Sequence, residues 1–523
     1  MMQRQLAKKL VRFFNSAASS TNTGAQYRSD MSNQGKQRTE APKFITEDDI
    51  NKKVVNAEYA VRGTVPTRAG KIKQLLKEGS HNYPFNQLTE CNIGNPQIFG
   101  QKPITFNRQV LSTILNPELV NSEVYSKDVR ARAKYYLERM GNTTIGAYSD
   151  SAGHIFIRES VAKYIAKRDN HLIPPDVNDI ILTDGASQGV QICLNVLISD
   201  SRDGIMIPIP QYPLYSASCT LVGASEVHYF LDEQKGWSCS VEELKKQHRD
   251  AKMHGINPKI LVVINPGNPT GQVLSYDTIK QMIEFAYDHK MVIFADEVYQ
   301  DNIYTPSKEF VSFKKVRSEL PYPYNNIELF SFHSTSKGLL GECGLRGGYF
   351  EMCNIDSRVK EEIIKLRSMF LCSNTVGQCT TELMCNPPTL QNASAETVEQ
   401  YNNERNALLE SLKRRAQIVT ESLNKMTNIT CQEVEGAMYA FPSIKFGKKA
   451  LSEAAKKKME PDLFYCLNVL ENTGIVLVPG SGFRQEENTY HFRITTLILG
   501  EDRLRESMEA LKNYNEKFHK EYC

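Results

Sequence analysis

Residues 331–338 read Ser-Phe-His-Ser-Thr-Ser-Lys-Gly and continue a short apolar run that begins at Ile327. The run has the length and composition of a buried β-strand, whereas the hydroxyl-rich residues after it are typical of a turn. Lys337 therefore stands just beyond the carboxyl end of a predicted strand, where α/β proteins place functional side chains. A partly desolvated lysine amine at such a place is a nucleophile toward carbonyl groups. The alternative is a surface lysine in a serine-rich loop.

Similar short strands alternate with helical stretches along the middle of the chain. Because strands that alternate with helices form βαβ units, the pattern predicts a large, mostly parallel sheet with helices on both faces. A long charged helix over 396–425 leads to a smaller α+β domain with strands in 436–446, 474–478 and 491–499. Other predicted strands are 88–96, 180–183, 204–209, 225–230, 260–264, 291–295 and 327–331, and other predicted helices are 60–78, 129–140, 156–170, 276–289 and 359–370.

Three more polar residues share the setting of Lys337. Asn268 lies in Asn-Pro-Gly-Asn-Pro-Thr-Gly (265–271), Asp296 ends the apolar run 291–295, and Arg346 follows Lys337 by nine residues. Together the four supply what a pyridoxal phosphate enzyme needs. The lysine forms the Schiff base, the carboxylate pairs with the pyridinium nitrogen, the amide binds the phenolic oxygen O3′, and the guanidinium binds the phosphate. Taken singly, each also fits a turn, a helix cap or a surface charge.

Further candidates surround the same predicted cofactor. Ala186 and Ser187 open a helix after the strand 180–183, and free N–H groups at a helix start suit a phosphate. Many such turns contain small residues only to turn the chain, so this signal is weak alone. Tyr299 can donate to O3′, and Ser334 and Ser336 can donate to the phosphate.

The motifs, in this order, resemble those of the fold type I pyridoxal phosphate aminotransferases of class I and II, over roughly residues 41–523. Within that family, two further stretches resemble the alanine aminotransferases: Asn92-Ile-Gly-Asn-Pro-Gln and Pro103-Ile-Thr-Phe-Asn-Arg-Gln-Val. The family motifs are Tyr148-Ser-Asp-Ser-Ala-Gly, Pro210-Gln-Tyr-Pro-Leu-Tyr, Asn268-Pro-Thr-Gly, Asp296-Glu-Val-Tyr, Ser334-Thr-Ser-Lys-Gly and Phe492-Arg.

This resemblance implies an activity and a role for each matched residue. The implied reaction is L-alanine with 2-oxoglutarate, giving pyruvate and L-glutamate. Lys337 would hold the cofactor and move the proton, Arg493 would bind the substrate α-carboxylate beside Gly94, and Tyr148 would reach the phosphate of the neighbouring subunit of a homodimer. The remaining implied cofactor contacts are Ala186, Ser187, Tyr212, which stacks on the ring, Asn268, Tyr299, Ser334, Ser336, Arg346 and, at the ring nitrogen, Asp296.

Several alternatives stay open at this point. Arg493 selects a carboxylate at Cα but not a methyl at Cβ, so the choice of alanine rests on resemblance. A glutamate–glyoxylate aminotransferase, another aminotransferase or a cyclopropane-carboxylate synthase-like lyase would use the same fold. A non-catalytic regulator of this fold would carry a DNA-binding appendage, and the first 90 residues contain no helix-turn-helix pattern or basic domain. The complete set of Lys337, Asp296, Arg346 and Arg493 argues against a binding-only scaffold.

Composition excludes other classes of protein. The formal net charge of +3 over 523 residues is too small to indicate nucleic-acid binding. No apolar run approaches the roughly 18 residues of a membrane span. The 12 cysteines contain no C-x-x-C pair, which predicts reduced thiols and no metal site.

The first residues differ from the rest of the chain. They are basic and rich in Ser and Thr, they contain no acidic residue before Asp30, and Leu6, Leu10 and Phe13 recur at helical spacing. This composition is typical of a mitochondrial transit peptide, and the alternatives are a disordered tail and a cytoplasmic enzyme. The predicted organisation is a transit segment over 1–40, an arm and part of the small domain over 41–120, the large cofactor-binding domain over 121–390, and the rest of the small domain over 391–523.

Overall fold

The computed structural model describes residues 44–59, 63–79, 81–141, 144–498 and 500–522, so the predicted transit segment lies outside the described residues. The chain divides into a unit that ends at Ile50 and a unit over Asn51–Cys523. In the first unit, the backbone N–H and the hydroxyl of Thr46 both donate to the Asp49 carboxylate and form a turn. The remaining description concerns the second unit.

A seven-stranded sheet forms the centre of this unit. Its strands are β1 (Ile180–Thr183), β2 (Asp203–Ile209), β3 (Ser225–Phe230), β4 (Asn257–Ile264), β5 (Val292–Asp296), β6 (Leu329–Ser334) and β7 (Gly348–Cys353). Their spatial order is β1-β7-β6-β5-β4-β2-β3; β7 is antiparallel to β1 and β6, and the other neighbours are parallel. The predicted mostly parallel sheet is therefore confirmed.

Apolar side chains on both faces of the sheet explain its position in the core. Successive residues of a strand point to opposite faces, and in β4 Leu261 and Val263 join one apolar cluster while Ile260 and Val262 join another. Both clusters are closed by helices, which is why nearly every residue of β4 after Asn257 is apolar.

The helices follow the predicted pattern closely. In the helix Tyr276–Asp288, for example, the Ser275 hydroxyl accepts the N–H of Thr278 and caps the helix start. Buried Ile279, Met282 and Ile283 of this helix face the sheet. The helices are α1 (Lys52–Asn56), α2 (Thr64–Glu78), α3 (Thr105–Leu115), α4 (Lys127–Arg139), α5 (Ile155–Arg168), α6 (Ala186–Leu197), α7 (Leu214–Val222), α8 (Val241–Met253), α9 (Tyr276–Asp288), α10 (Phe313–Glu319), α11 (Ser357–Ser368), α12 (Thr375–Cys385), α13 (Ala395–Leu423), α14 (Lys448–Lys456), α15 (Pro461–Thr473) and α16 (Glu501–Tyr522). In the described ranges, no helix combines the length and the hydropathy needed to cross a membrane.

The C-terminal part carries two small sheets. Its strands are β8 (Ile429–Thr430), β9 (Tyr439–Ala440), β10 (Ser443–Ile444), β11 (Val478–Pro479) and β12 (Phe492–Thr495), which pair as β10-β8 and as β11-β12-β9. The apolar core beneath α13, α15 and α16 also contains Val65, Ala69 and Ile72 of α2. N-terminal and C-terminal residues thus share one core, as expected for the smaller domain. The boundaries near residues 120 and 390 remain predictions.

The predicted strand over 88–96 is wrong. Only Thr89 forms a β-bridge, to Ile475, and the chain then turns into a short 3-10 helix at Pro96–Phe99. Asn92, Gly94 and Pro96 lie within this stretch, and residues of these types are poor strand formers, so one bridge forms instead of a ladder.

A buried ion pair joins a helix to the sheet. Lys314 of α10 donates to the Glu351 carboxylate of β7, and both side chains are almost fully inaccessible to solvent. Burial raises the pKa of Glu351, and the Lys314 charge opposes that shift. Removing the lysine would therefore leave a buried carboxylate without its cation.

We expect Lys314→Met to lower the free energy of unfolding by roughly 3–5 kcal/mol at pH 7. The loss should be smaller at pH 5, because protonation of Glu351 then removes the unpaired charge. Urea unfolding followed by circular dichroism at both pH values measures this. The double variant Lys314→Met/Glu351→Leu should recover most of the loss, and a loss that is equal at both pH values would contradict the interpretation.

Candidate active site

The carboxyl ends of β4, β5 and β6 and the start of α6 surround a cavity of about 220 Å³. Residues predicted from widely separated motifs meet in its wall, because parallel strands end at the same edge of a sheet. The predicted residues that line it are Gly94, Ala186, Ser187, Tyr212, Asn268, Asp296, Tyr299, Ser334, Ser336, Lys337 and Arg346.

Lys337 is held against the segment that precedes α3. Its Nζ donates to the Gly94 carbonyl at 3.1 Å and lies 5.9 Å from the centre of the Tyr299 ring. A Cβ atom at Gly94 would lie 1.7 Å from the Tyr439 hydroxyl and 3.4 Å from Lys337 Nζ. Only glycine lets the backbone pass this close to the amine, which explains the glycine in the Asn92-Ile-Gly motif.

Asp296 presents a buried carboxylate at one end of the cavity. Tyr215 donates its hydroxyl to Oδ2 at 2.8 Å, and the Val298 N–H donates to Oδ1 at 3.4 Å. Burial raises the pKa of Asp296 to about 6, although Tyr215, Val298 and the Lys337 charge all favour the ionised form. A buried carboxylate of this kind is stabilised most by a cation placed beside it, such as a protonated ring nitrogen.

The opposite end of the cavity is suited to an anion. Gly185 has a φ of +84° and no side chain caps the N-terminus of α6, so its first N–H groups remain available. Arg346 Nη1 donates to the Ser336 hydroxyl at 3.2 Å, and Nη2 donates to the Asp184 carbonyl at 2.6 Å. A Cβ at Gly185 would lie 2.5 Å from Arg346 Nη2, so this turn also requires glycine.

Arg493 adjoins this cavity from β12. It is buried, and its guanidinium donates to the Asn268 side-chain oxygen at 3.2 Å and to the Asn92 carbonyl at 2.8 Å. The guanidinium carbon lies 4.0 Å from the centre of the Tyr439 ring and 4.7 Å from that of Phe483. Within the described ranges no carboxylate pairs with Arg493, and its Nε has no hydrogen-bond partner. A small carboxylate would supply both the missing charge and the missing acceptor.

The polar groups around the cavity match the groups of pyridoxal phosphate. A carboxylate stands at one end of the cavity, an amine stands on its wall, and a helix start with a guanidinium stands at the other end. This donor set matches the ring nitrogen, the aldehyde and the phosphate of that cofactor, so the residues fit. In the described part of the chain, no cluster of His, Cys, Asp or Glu side chains has the arrangement of a metal site.

Two predicted residues do not line the cavity, and two contributors were missed. Arg493 adjoins the cavity through Asn268, whereas Tyr148 is 76% exposed. Tyr215 ends the Pro210-Gln-Tyr-Pro-Leu-Tyr motif, from which a role was predicted only for Tyr212. Tyr439 lies between Lys337 and Arg493; burial raises its pKa, yet these two charges and a hydrogen bond from Tyr299 bring it below the usual value. A tyrosine in a short strand carries no sequence motif, so no signal pointed to it.

Known proteins resemble this chain in sequence and in fold. Residues 119–511 match the family model for aminotransferases of class I and II. The chain is 45% identical to the probable mitochondrial alanine aminotransferase of Dictyostelium discoideum, over 92% of this chain and 90% of that protein. It is 44% identical to human alanine aminotransferase 1, over 92% and 96% of the two chains. An alanine aminotransferase structure from Pyrococcus furiosus superimposes with a TM-score of 0.70 at 22% identity, over 90% of this chain and all of that one.

Asp296 should make the stability of the cofactor-free protein depend on pH. Because burial raises its pKa from 3.8 to about 6, its stabilising contribution is present below about pH 4 and is lost as the pH rises through 6. Asp296→Asn removes this titration. We expect the variant to gain up to about 3 kcal/mol over the unmodified protein between pH 4 and pH 8.

Urea unfolding of the two cofactor-free proteins at several pH values measures this difference. Asp277→Asn, an exposed substitution in the first turn of α9, is the matched control and should show no such trend. A difference between Asp296→Asn and the unmodified protein that stays constant across the pH range would contradict the assignment.

Proposed function

The chain belongs to the family of class I and II aminotransferases, and on this premise we propose that it transfers the amino group of L-alanine to 2-oxoglutarate, giving pyruvate and L-glutamate. The amino donor is inferred from the relatives that are 44–45% identical and are named alanine aminotransferases. The structural observation that carries the reaction type is that the Lys337 amine, a buried carboxylate and an uncapped helix start line the same cavity.

The chain's own residues account for the chemistry around the cofactor. When bound, pyridoxal phosphate supplies the carbonyl that accepts the amino group and a ring that stores the electrons left on Cα. The Asp296 carboxylate would hold a proton on the ring nitrogen, because an ionised form in this buried place gains most from a cation. Asn268 and Tyr299 would bind O3′, and Tyr212 would form the wall against one face of the ring.

Lys337 and Arg493 would act on the substrate. The planar fork of Arg493 would bind the α-carboxylate and so fix Cα within reach of the Lys337 amine. The amine would take the proton from Cα and return it on the cofactor side. The Gly94 carbonyl, which accepts from Nζ, would orient the amine for this transfer.

Lys337→Ala should abolish pyruvate formation from L-alanine and 2-oxoglutarate, because among the described residues no other lysine lines the cavity to attach the cofactor or to move the proton. A coupled lactate dehydrogenase assay measures the activity. Borohydride reduction and mass spectrometry of peptides show whether cofactor is attached at residue 337. Lys245→Ala, an exposed lysine of α8, is the control and should keep full activity. Retained transamination by Lys337→Ala would refute the assignment of this lysine.

We propose that the enzyme is a homodimer. Met369, Phe370 and Leu371 form a continuous apolar stretch after α11 and are 70%, 59% and 53% exposed, which is unusual for adjacent large apolar residues. The exposed Tyr148 would extend into the site of the partner subunit and bind its phosphate there. Burial of the apolar stretch against a second copy would explain its composition.

Phe370→Asp should weaken the dimer, because it places a charge in an apolar contact. Sedimentation velocity of the holoenzyme over a dilution series measures the dimer-to-monomer equilibrium. Leu390→Asp is the control, since Leu390 is 71% exposed but stands alone. If Tyr148 binds the partner's phosphate, dissociation should also lower cofactor affinity. A monomeric unmodified holoenzyme would exclude the proposal.

We also propose that the enzyme works in the mitochondrial matrix. Support comes from the basic, acid-free composition of the first 29 residues and from relatives named as mitochondrial in Dictyostelium discoideum and Arabidopsis thaliana. Import assays with isolated mitochondria, using the full chain and a form that begins at Ala41, would decide between this compartment and the cytoplasm.

A further inference from the structure

His491 is a buried imidazole that joins the two sides of the molecule next to Arg493. Its Nε2 lies 3.1 Å from a carboxylate oxygen of Glu233, and its Nδ1 lies 3.0 Å from the side-chain oxygen of Gln485. The ring stacks on Phe441 with 4.9 Å between ring centres, and Trp237 contacts its edge. Both ring nitrogens therefore have defined partners, and aromatic rings pack against the imidazole.

The partner of Gln485 fixes which amide atom faces His491. Gln485 Nε2 lies 3.1 Å from the Asp462 carboxylate, which accepts but does not donate when ionised. The amide nitrogen must therefore point to Asp462, and the amide oxygen must point to His491. Asp462 in turn accepts the N–H groups of Ser481 and Leu463, so its orientation is fixed as well.

Both nitrogens of His491 thus face acceptors. A neutral imidazole carries one N–H and could satisfy either Glu233 or Gln485 but not both, whereas an imidazolium satisfies both. Carboxylates surround this contact: Glu233 lies against the ring, Asp462 holds Gln485, and further carboxylates line a neighbouring cavity. These are Asp232, Glu243 and Glu486.

The position of His491 connects this ion pair to substrate binding. The backbone carbonyl of His491 accepts the Gly480 N–H at 2.8 Å. His491 immediately precedes β12, in which Arg493 pairs with Val478 of β11. Glu233 lies in a short 3-10 helix just after β3, at the edge of the large sheet. The His491 ring therefore links the large sheet to the strand that carries Arg493, two residues away.

We propose that His491, held between Glu233 and Gln485, is a positioning residue that sets Arg493 for the substrate carboxylate. Loss of the contact with Glu233 removes the link between β12 and the large sheet. Affinity for carboxylate substrates then falls, while the chemistry at Lys337 is unchanged. This inference rests on the proposed function, because it requires that Arg493 binds the substrate.

The test measures binding of glutarate, a dicarboxylate without a reactive amino or oxo group, to the holoenzyme at pH 7.5. Binding is followed by the cofactor absorbance and by competition against 2-oxoglutarate. Glu233→Gln keeps an oxygen acceptor but removes the charge. We expect it to weaken glutarate binding about fivefold.

Two further readouts separate positioning from general loss of structure. His491→Gln should raise KM for both substrates with little change in kcat at saturation. Glu233→Asp, which restores the charge, should recover most of the binding.

Two controls make the outcome decisive. Glu486→Gln removes a carboxylate of the same cavity and should leave binding unchanged, since the ring nitrogens of His491 contact Gln485 and Glu233 instead. Arg493→Ala should nearly abolish glutarate binding, and an unchanged affinity there would refute the carboxylate site itself. If Arg493→Ala weakens binding while Glu233→Gln and His491→Gln bind as the unmodified enzyme does, or if Glu486→Gln has an equal effect, the role of His491 is refuted.

Discussion

The in-register ends of three parallel strands are the constraint on which the site depends. Asp296, the last residue of β5, lies opposite Ile264 at the end of β4 and opposite Phe332 near the end of β6. The loops that leave these strands must therefore start side by side, and they carry Asn268, Tyr299 and Lys337. No local preference of the loops could bring these side chains together without that register.

The site contains buried ionisable groups whose charged forms become favourable when a ligand of opposite charge binds. Burying a charge costs several kcal/mol unless a partner of opposite sign is present. Burial raises the pKa of Asp296 to about 6. Arg493 contacts neutral acceptors and an aromatic face instead of a carboxylate. The cofactor and the substrate each bring the charge that the protein lacks. The protein groups that bind them are already desolvated by folding, so that part of the cost does not arise on binding.

Much of this arrangement could be predicted from the sequence because its signals are local. The strand Ser225–Phe230 and the start of α9 at Tyr276 were predicted at their observed residues, since apolar periodicity and a serine cap mark them. The stretch 88–96 was wrongly predicted as a strand because Asn92, Gly94 and Pro96 prevent a ladder, and its one bridge joins Thr89 to Ile475, far along the chain. Tyr439 was missed because it contributes through neighbours that the fold supplies, and its own sequence context carries no motif.

The bond between Arg493 and the Asn92 carbonyl joins residues separated by 401 positions. During synthesis, the segment around Asn92 and the whole large sheet leave the ribosome long before β12 exists. The carboxylate pocket can then close only as the last strand and α16 arrive, and contacts of such high sequence separation form late because loop closure opposes them. A nascent or C-terminally shortened chain would therefore hold the cofactor end of the site without the means to select a substrate.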